Sequence, residues 1–153
     1  MFKKKLIDIR EEMPVLARHE GEWEGEYVHL NPVGKILDRH SSHLSCMFPL
    51  EGQYAYYQIN RYRWDDGKRE ELHFPAVYRN GKIWWDTSRI AGSGWEVDEN
   101  SVMLKWARKD VPNSFLYEMI QLSRDGTRRY RTWHWFQNDD LFQRTIINER
   151  RTK

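Results

Sequence analysis

A single cysteine, Cys46, stands in 153 residues. No internal disulfide framework can form, and the chain fits a reducing compartment. Long apolar runs are missing as well. The mean hydropathy is -0.90, and no segment approaches the roughly 18 apolar residues that a membrane-spanning helix needs. Nor does one sign of charge dominate: 25 basic and 23 acidic residues leave a net charge of +2. The two signs are interspersed, so no basic stripe is available for a nucleic-acid backbone. The opening MFKKKLIDI is basic, but Asp8 follows and no apolar leader core develops; a signal peptide is not expected. A cytoplasmic protein with neither membrane nor nucleic acid as partner is the expectation. Nucleophile elbows, phosphate loops, dinucleotide fingerprints and metalloprotease motifs are all absent, which leaves covalent catalysis unsupported.

What the chain does hold is aromatic residues, 14% of the total, with eight Trp and eight Tyr. These are strand formers with a polar handle rather than the stuff of a helical bundle. Only residues 6–18 read as helical, and Pro14 restricts them to one short helix or two single turns. From Gly21 onward, turn signals recur at Asn31–Gly34, Pro49–Gly52, Asp65–Gly67, Asn80–Gly81, Ala91–Gly94, Glu99–Asn100, Asp110–Asn113, Asp125–Gly126 and Asn138–Asp140. Asn-Gly and Asp-Gly pairs between alternating segments are strong hairpin signals. Nine turns imply ten strands, and such a meander leaves costly open edges unless it closes. The expected fold is all-β, an antiparallel up-and-down barrel of eight to ten strands with a short N-terminal helix. Residues 1–20 would cap it and residues 21–153 would form the barrel.

The stretch GEWEGEY, after a short helix and opening a ten-strand meander, resembles the lipocalin-like calycin superfamily. There a glycine-x-tryptophan motif starts the first strand and the tryptophan plugs the closed end. Gly21 and Trp23 match. The resemblance implies an arginine from the last strand over the tryptophan; Arg144, Arg150 and Arg151 are the candidates, with Arg150 taken forward. The opening GEWEGEYVHLNPVGKILD and the ending LFQRTIINERR look like a lipocalin-like bacterial domain of unknown function. A more distant likeness is to nitrobindin and fatty-acid-binding-protein-like barrels. Nitrobindin takes haem through a histidine on its C-terminal strand, but LFQRTIINERR has none, so no haem or other cofactor is expected.

Period two carries Trp23, Gly25, Tyr27 and His29 to one face and Glu22, Glu24 and Glu26 to the other. If the tryptophan points inward, the glutamates form a wet outer wall and His29 lies toward the open end. By the same alternation Gln58, Asn60 and Tyr62 share a face, and an inward row of amides and a phenol calls for water or a polar ligand. In GKIWWDTSR, either Trp85 with Thr87 and Arg89 or Trp84 with Asp86 faces in; a buried Asp86 would need a charged partner. In RTWHWFQ, either His134 or the pair Trp133 and Trp135 lines the lumen, since a slip of one residue exchanges the sets. The HSSHLSC stretch puts His40 and Cys46 on one face and His43 on the other, so no metal site is expected.

The candidate ligand-binding residues are Tyr27, His29, Gln58, Asn60, Tyr62, Trp85, Tyr117 and His134, and Trp23 with Arg150 is the candidate plug. The first functional reading is a protein binding a small, largely apolar or aromatic molecule in the lumen, with a homodimer allowed. The alternative is a cofactor-independent isomerase, cyclase or dehydratase using lumen histidines, His29 and His134, for acid–base chemistry. A third reading is a filled β-domain without a cavity.

Overall fold

The computed structural model describes residues 8–152. Two helical turns, α1 (Ile9–Glu12) and α2 (Pro14–Ala17), precede ten strands. These are β1 (Gly21–Leu30), β2 (Ile36–Met47), β3 (Tyr56–Arg63), β4 (Arg69–Arg79), β5 (Lys82–Asp86), β6 (Ile90–Glu96), β7 (Ser101–Arg108), β8 (Ser114–Leu122), β9 (Arg128–Gln137) and β10 (Asp140–Arg151). Each strand pairs antiparallel with its neighbour in sequence, and β1 closes the ring against β10. The all-β antiparallel barrel read from the sequence is therefore present, with ten strands. Among the described residues no helix is long and apolar enough to cross a membrane.

The helical segment divides at Pro14. Asp8 caps α1 by accepting from the Arg10 amide at 2.9 Å, and proline occupies the first turn of α2, where its missing N–H costs nothing. Residues 6 and 7 of the expected helix lie outside the described residues. Met13, Leu16 and His19 are buried at the end of the barrel where β1 begins. The Leu16 amide donates to the Glu96 carboxylate at 2.7 Å, and Arg18 donates to the carbonyls of Glu99 and Arg124 in two turns at that end. The helical turns thus pack against this end of the barrel.

Eight of the nine turn signals fall between strands, but Ala91–Gly94 lies inside β6 and the turn is at residues 87–89. The glycines there serve close packing instead. A Cβ on Gly92 would meet Trp106 Cβ at 2.3 Å and the Lys105 carbonyl oxygen at 2.4 Å. Gly25 is similarly tight, with Asn148 O at 2.3 Å from its would-be Cβ. The wall has one weak seam. β4 pairs with β5 only over Val77–Arg79. Below that, Trp85 Nε1 donates to the Phe74 carbonyl at 3.3 Å and Arg89 pairs with Glu70 at 3.4 Å.

Two outcomes follow from this architecture. Gly92→Ala should lower stability by about 1–3 kcal/mol in urea denaturation, because backbone rather than a flexible side chain must move; an unchanged midpoint would refute the packing role. The buried His19 imidazole has its pKa held well below the ordinary value by burial, then by Arg129 and Arg151. It folds neutral, whereas the unfolded chain binds a proton below about pH 6.5. Its contribution to stability is complete above that pH and declines as pH falls. His19→Leu should flatten the stability profile between about pH 6.5 and 5, and an unaltered slope would contradict this.

Candidate functional site

Inside the barrel, successive layers rise from the end where the helical turns pack. Trp23 is wholly buried at the bottom, its Nε1 donating to the His19 carbonyl at 2.9 Å. Two guanidinium groups lie over its ring, Arg151 at 4.4 Å and Arg129 at 5.1 Å. Trp23 therefore has an arginine from the last strand over its ring, but it is Arg151 and not Arg150. Arg150 points outward and pairs with Glu24 at 3.0 Å, because period two puts residues 149 and 151 inside.

Above Trp23 lies a layer of buried charge. Arg131 donates to Glu118 at 2.6 Å, to Glu149 at 3.2 Å and to the Tyr27 hydroxyl at 2.8 Å. Arg129 pairs with Glu149 at 3.1 Å and donates to Cys46 Sγ at 3.2 Å. Burial works against the Arg131 charge, but Glu118, Tyr27 and Glu149 outweigh it and hold its pKa well above the usual arginine value. Burial pushes the Tyr27 hydroxyl well up, so it is neutral.

This layer sets the phase of β9, which the sequence left open, and of β8, where Tyr117 was expected to face in. With Glu118 and Arg131 inside, Trp133 and Trp135 also face in, and Tyr117 and His134 face out. Tyr117 is 40% exposed on the outer wall, beside Phe115 and Phe136. Neither Tyr117 nor His134 is a lumen residue, which corrects the expectation for both. Trp85 does face the lumen, and Asp86 is exposed and paired with Lys109 at 2.6 Å. A charged residue in an ambiguous strand reads as outward; the signal for the inward phase is that β8 and β9 each offer a charge of opposite sign on the inner face.

The cavity above has a volume of about 360 Å³. One wall is aromatic: Trp106, Trp133 and Trp135 interlock at centroid distances of 5.4–5.8 Å. The opposite wall is polar and comes from β1, β2 and β3. Here Tyr56 donates to Gln58 at 2.7 Å, Gln58 to Asn60 at 2.7 Å, and Asn60 to the Tyr62 hydroxyl at 2.8 Å. The row expected to require water or a ligand satisfies much of its own hydrogen-bonding capacity along the strand.

Nearer the mouth, His29, Asp38 and His40 meet. Antiparallel pairing sets Tyr27 opposite His40 and His29 opposite Asp38. His40 Nδ1 lies 2.7 Å from one Asp38 oxygen, and Trp64 Nε1 donates to the other at 2.9 Å. Partial burial would raise the Asp38 pKa, but these two donors outweigh it and bring it below the ordinary value. His29 Nδ1 contacts Thr145 Oγ1 at 2.7 Å and Gln143 Nε2 at 3.1 Å. Burial, then the neighbouring His40, lowers the His29 pKa. Asp38 and His40 were not among the expected site residues; a bulge between His29 and Leu30 shifts the β1–β2 register, so counting through the Asn31–Gly34 turn sets Leu37 and Arg39, not Asp38 and His40, opposite His29 and Tyr27.

Over residues 10–153 the sequence matches the family described as Domain of unknown function (DUF3598), N-terminal. The chain belongs to this family. Among solved structures, a DUF3598 protein of unknown function from Nostoc punctiforme is similar, with a TM-score of 0.68 and 14% identity over 90% of this chain. The match covers 49% of that protein, so the chain spans about half its length. An S-type phycobiliprotein lyase from Guillardia theta gives a TM-score of 0.71 at 11% identity, covering 97% of this chain and 99% of that one. Rv2717c from M. tuberculosis gives 0.63 at 13% identity, covering 93% and 98%. Such low identities establish a shared fold between these proteins and this DUF3598 barrel. No curated protein matches the chain in sequence.

Breaking the buried charge layer should be costly. Glu149→Gln leaves two buried arginines facing a single carboxylate and should lose about 3–5 kcal/mol in urea denaturation. Glu24→Ala, which breaks the exposed pair with Arg150, should lose at most about 1 kcal/mol. Equal losses would show that the inner pair carries no special weight.

Proposed function

We propose that the lumen holds one small, planar, largely apolar or aromatic molecule, and that the chain is a lipocalin-like binding protein of the cytoplasm. The observation that carries this reading is the cavity of about 360 Å³, left open between an aromatic wall and a polar one. Its volume lies within the range of small-molecule sites, roughly 300–1,000 Å³. A filled β-domain would have no such space. The tryptophans supply flat contact area, while His29, Asn60, Gln58 and the Asp38–His40 pair offer directional partners. Trp133 Nε1 and His40 Nε2 have no hydrogen-bond partner among the described residues. A donor and an acceptor in such a lining suit a ligand that carries both. The barrel's likeness to a phycobiliprotein lyase agrees with a lumen that serves small-molecule chemistry.

An acid–base enzyme is the second reading, and one observation favours it. Asp38 orients His40 as a carboxylate orients a catalytic imidazole, with the second ring nitrogen unpartnered. Tyr117 and His134 have no part in either reading.

Native mass spectrometry of freshly purified protein should reveal one co-purifying small molecule per chain, and its binding should quench tryptophan fluorescence. Trp106→Ala and Trp135→Ala should each weaken binding about tenfold or more, and His134→Ala should leave it unchanged. A chain that emerges empty and binds nothing from a panel of planar aromatic compounds would overturn the proposal. Conversion of the bound molecule, lost in His40→Gln with binding retained, would favour the enzyme.

A further inference from the structure

The cluster at the mouth has a property that neither reading uses. One donor atom from each of His29, Asp38 and His40 lies within 4.8 Å of the others. They come from two paired strands, with His29 directly opposite Asp38 and His40 two residues further along β2. The His29 and His40 ring centroids are 5.5 Å apart.

The electrostatics are one-sided. The floor of the lumen is internally balanced, with Arg129 and Arg131 against Glu118 and Glu149. At the seam Glu70 is balanced by Arg89. Asp38 is different: its only ion-pair partner among the described residues is the His40 imidazole. A carboxylate bordering a cavity, without arginine or lysine, between two imidazoles, is a place for a cation.

We propose that His29, Asp38 and His40 form a binding site for one divalent transition-metal ion at the mouth of the lumen. Two imidazoles and a carboxylate suit zinc and its first-row neighbours rather than calcium or magnesium, which favour all-oxygen shells. Asp38 and His40 contribute the close pair, Oδ2 and Nδ1, at 2.7 Å. Donors about 2.0–2.2 Å from a tetrahedral zinc sit roughly 3.3 Å apart, so this pair opens by about half an ångström when the cation replaces the proton between them. His40 then keeps its proton on Nε2. His29 presents the Nε2 lone pair once Nδ1 carries the proton and donates to Thr145, which requires the Gln143 side-chain amide to turn its oxygen rather than its Nε2 toward that ring nitrogen. The outer contacts are those that hold metal ligands in place: Trp64 on the second Asp38 oxygen, Thr145 on His29 and Trp135 on Thr145. Three protein ligands leave one or two positions open toward the cavity, for water or for a donor atom of a lumen molecule.

The test uses the untagged, chelator-treated full chain, titrated with Zn(II) by calorimetry and with Co(II) by visible absorption. One ion per chain is expected, with the intense d–d bands of a four- or five-coordinate cobalt site. His29→Ala and Asp38→Asn should each weaken binding by more than about a hundredfold, beyond the usual effect of losing an outer-shell partner. His43→Ala, His73→Ala and His134→Ala, all on the outer wall, should bind as the parent does. Circular dichroism of each variant separates lost ligation from lost folding. If His40→Ala does not fold, the His29 and Asp38 variants still decide, because both residues are only partly buried. Absence of stoichiometric binding overturns the proposal. So does binding that survives both substitutions, or that disappears in the outer-wall variants.

Discussion

Arg131 sits where three strands meet it at once: Glu118 of β8 at 2.6 Å, Glu149 of β10 at 3.2 Å and the Tyr27 hydroxyl of β1 at 2.8 Å. A buried guanidinium is tolerated only when its charge and donors are met, so each partner must face the inside of the barrel. Because side chains alternate with period two, one inward residue dictates every other residue on its strand. The tryptophans of β9 enter the lumen for this reason, and Tyr117 and His134 are turned out. Tyr27 likewise carries His29 with it along β1.

The charge layer also divides the interior into two regimes. Below it the barrel is filled by Trp23, two stacked arginines and the helical turns. Above it the walls stand apart and a cavity remains. On one side Trp106 meets both Trp133 and Trp135 edge to face, a geometry preferred by aromatic quadrupoles. On the other side, the β3 ladder closes most of its hydrogen bonds on itself. A polar wall so arranged is rigid before anything binds, which lowers the ordering cost of recognition. Two nitrogens are left without a partner in the lining, His40 Nε2 on this wall and Trp133 Nε1 on the aromatic one, and His40 is also a member of the mouth cluster with His29 and Asp38.

Much of this was legible in the residue order. Turn chemistry between alternating segments implied ten strands, and alternation grouped Trp23 with Gly25, Tyr27 and His29. The phase of β1 and β3 followed from Trp23 and from the row Gln58, Asn60 and Tyr62, all of which line or floor the lumen. Where both faces of a strand carry large apolar groups, as in FLYEMIQL and RTWHWFQ, alternation has no preferred sense. Gly92 and Gly94 were read as a turn because glycine has two uses, positive φ and close backbone approach, and composition cannot separate them.

Taken alone, the sequence determined the all-β class and a closed meander of eight to ten strands, since turn residues and period two are local properties of the chain. Tertiary structure alone decided which arginine covers Trp23, which face of β8 and β9 looks inward, and which residues stand across from His29. Those are pairings between strands, governed by register and by where opposite charges meet in a desolvated interior. No single segment contains that information.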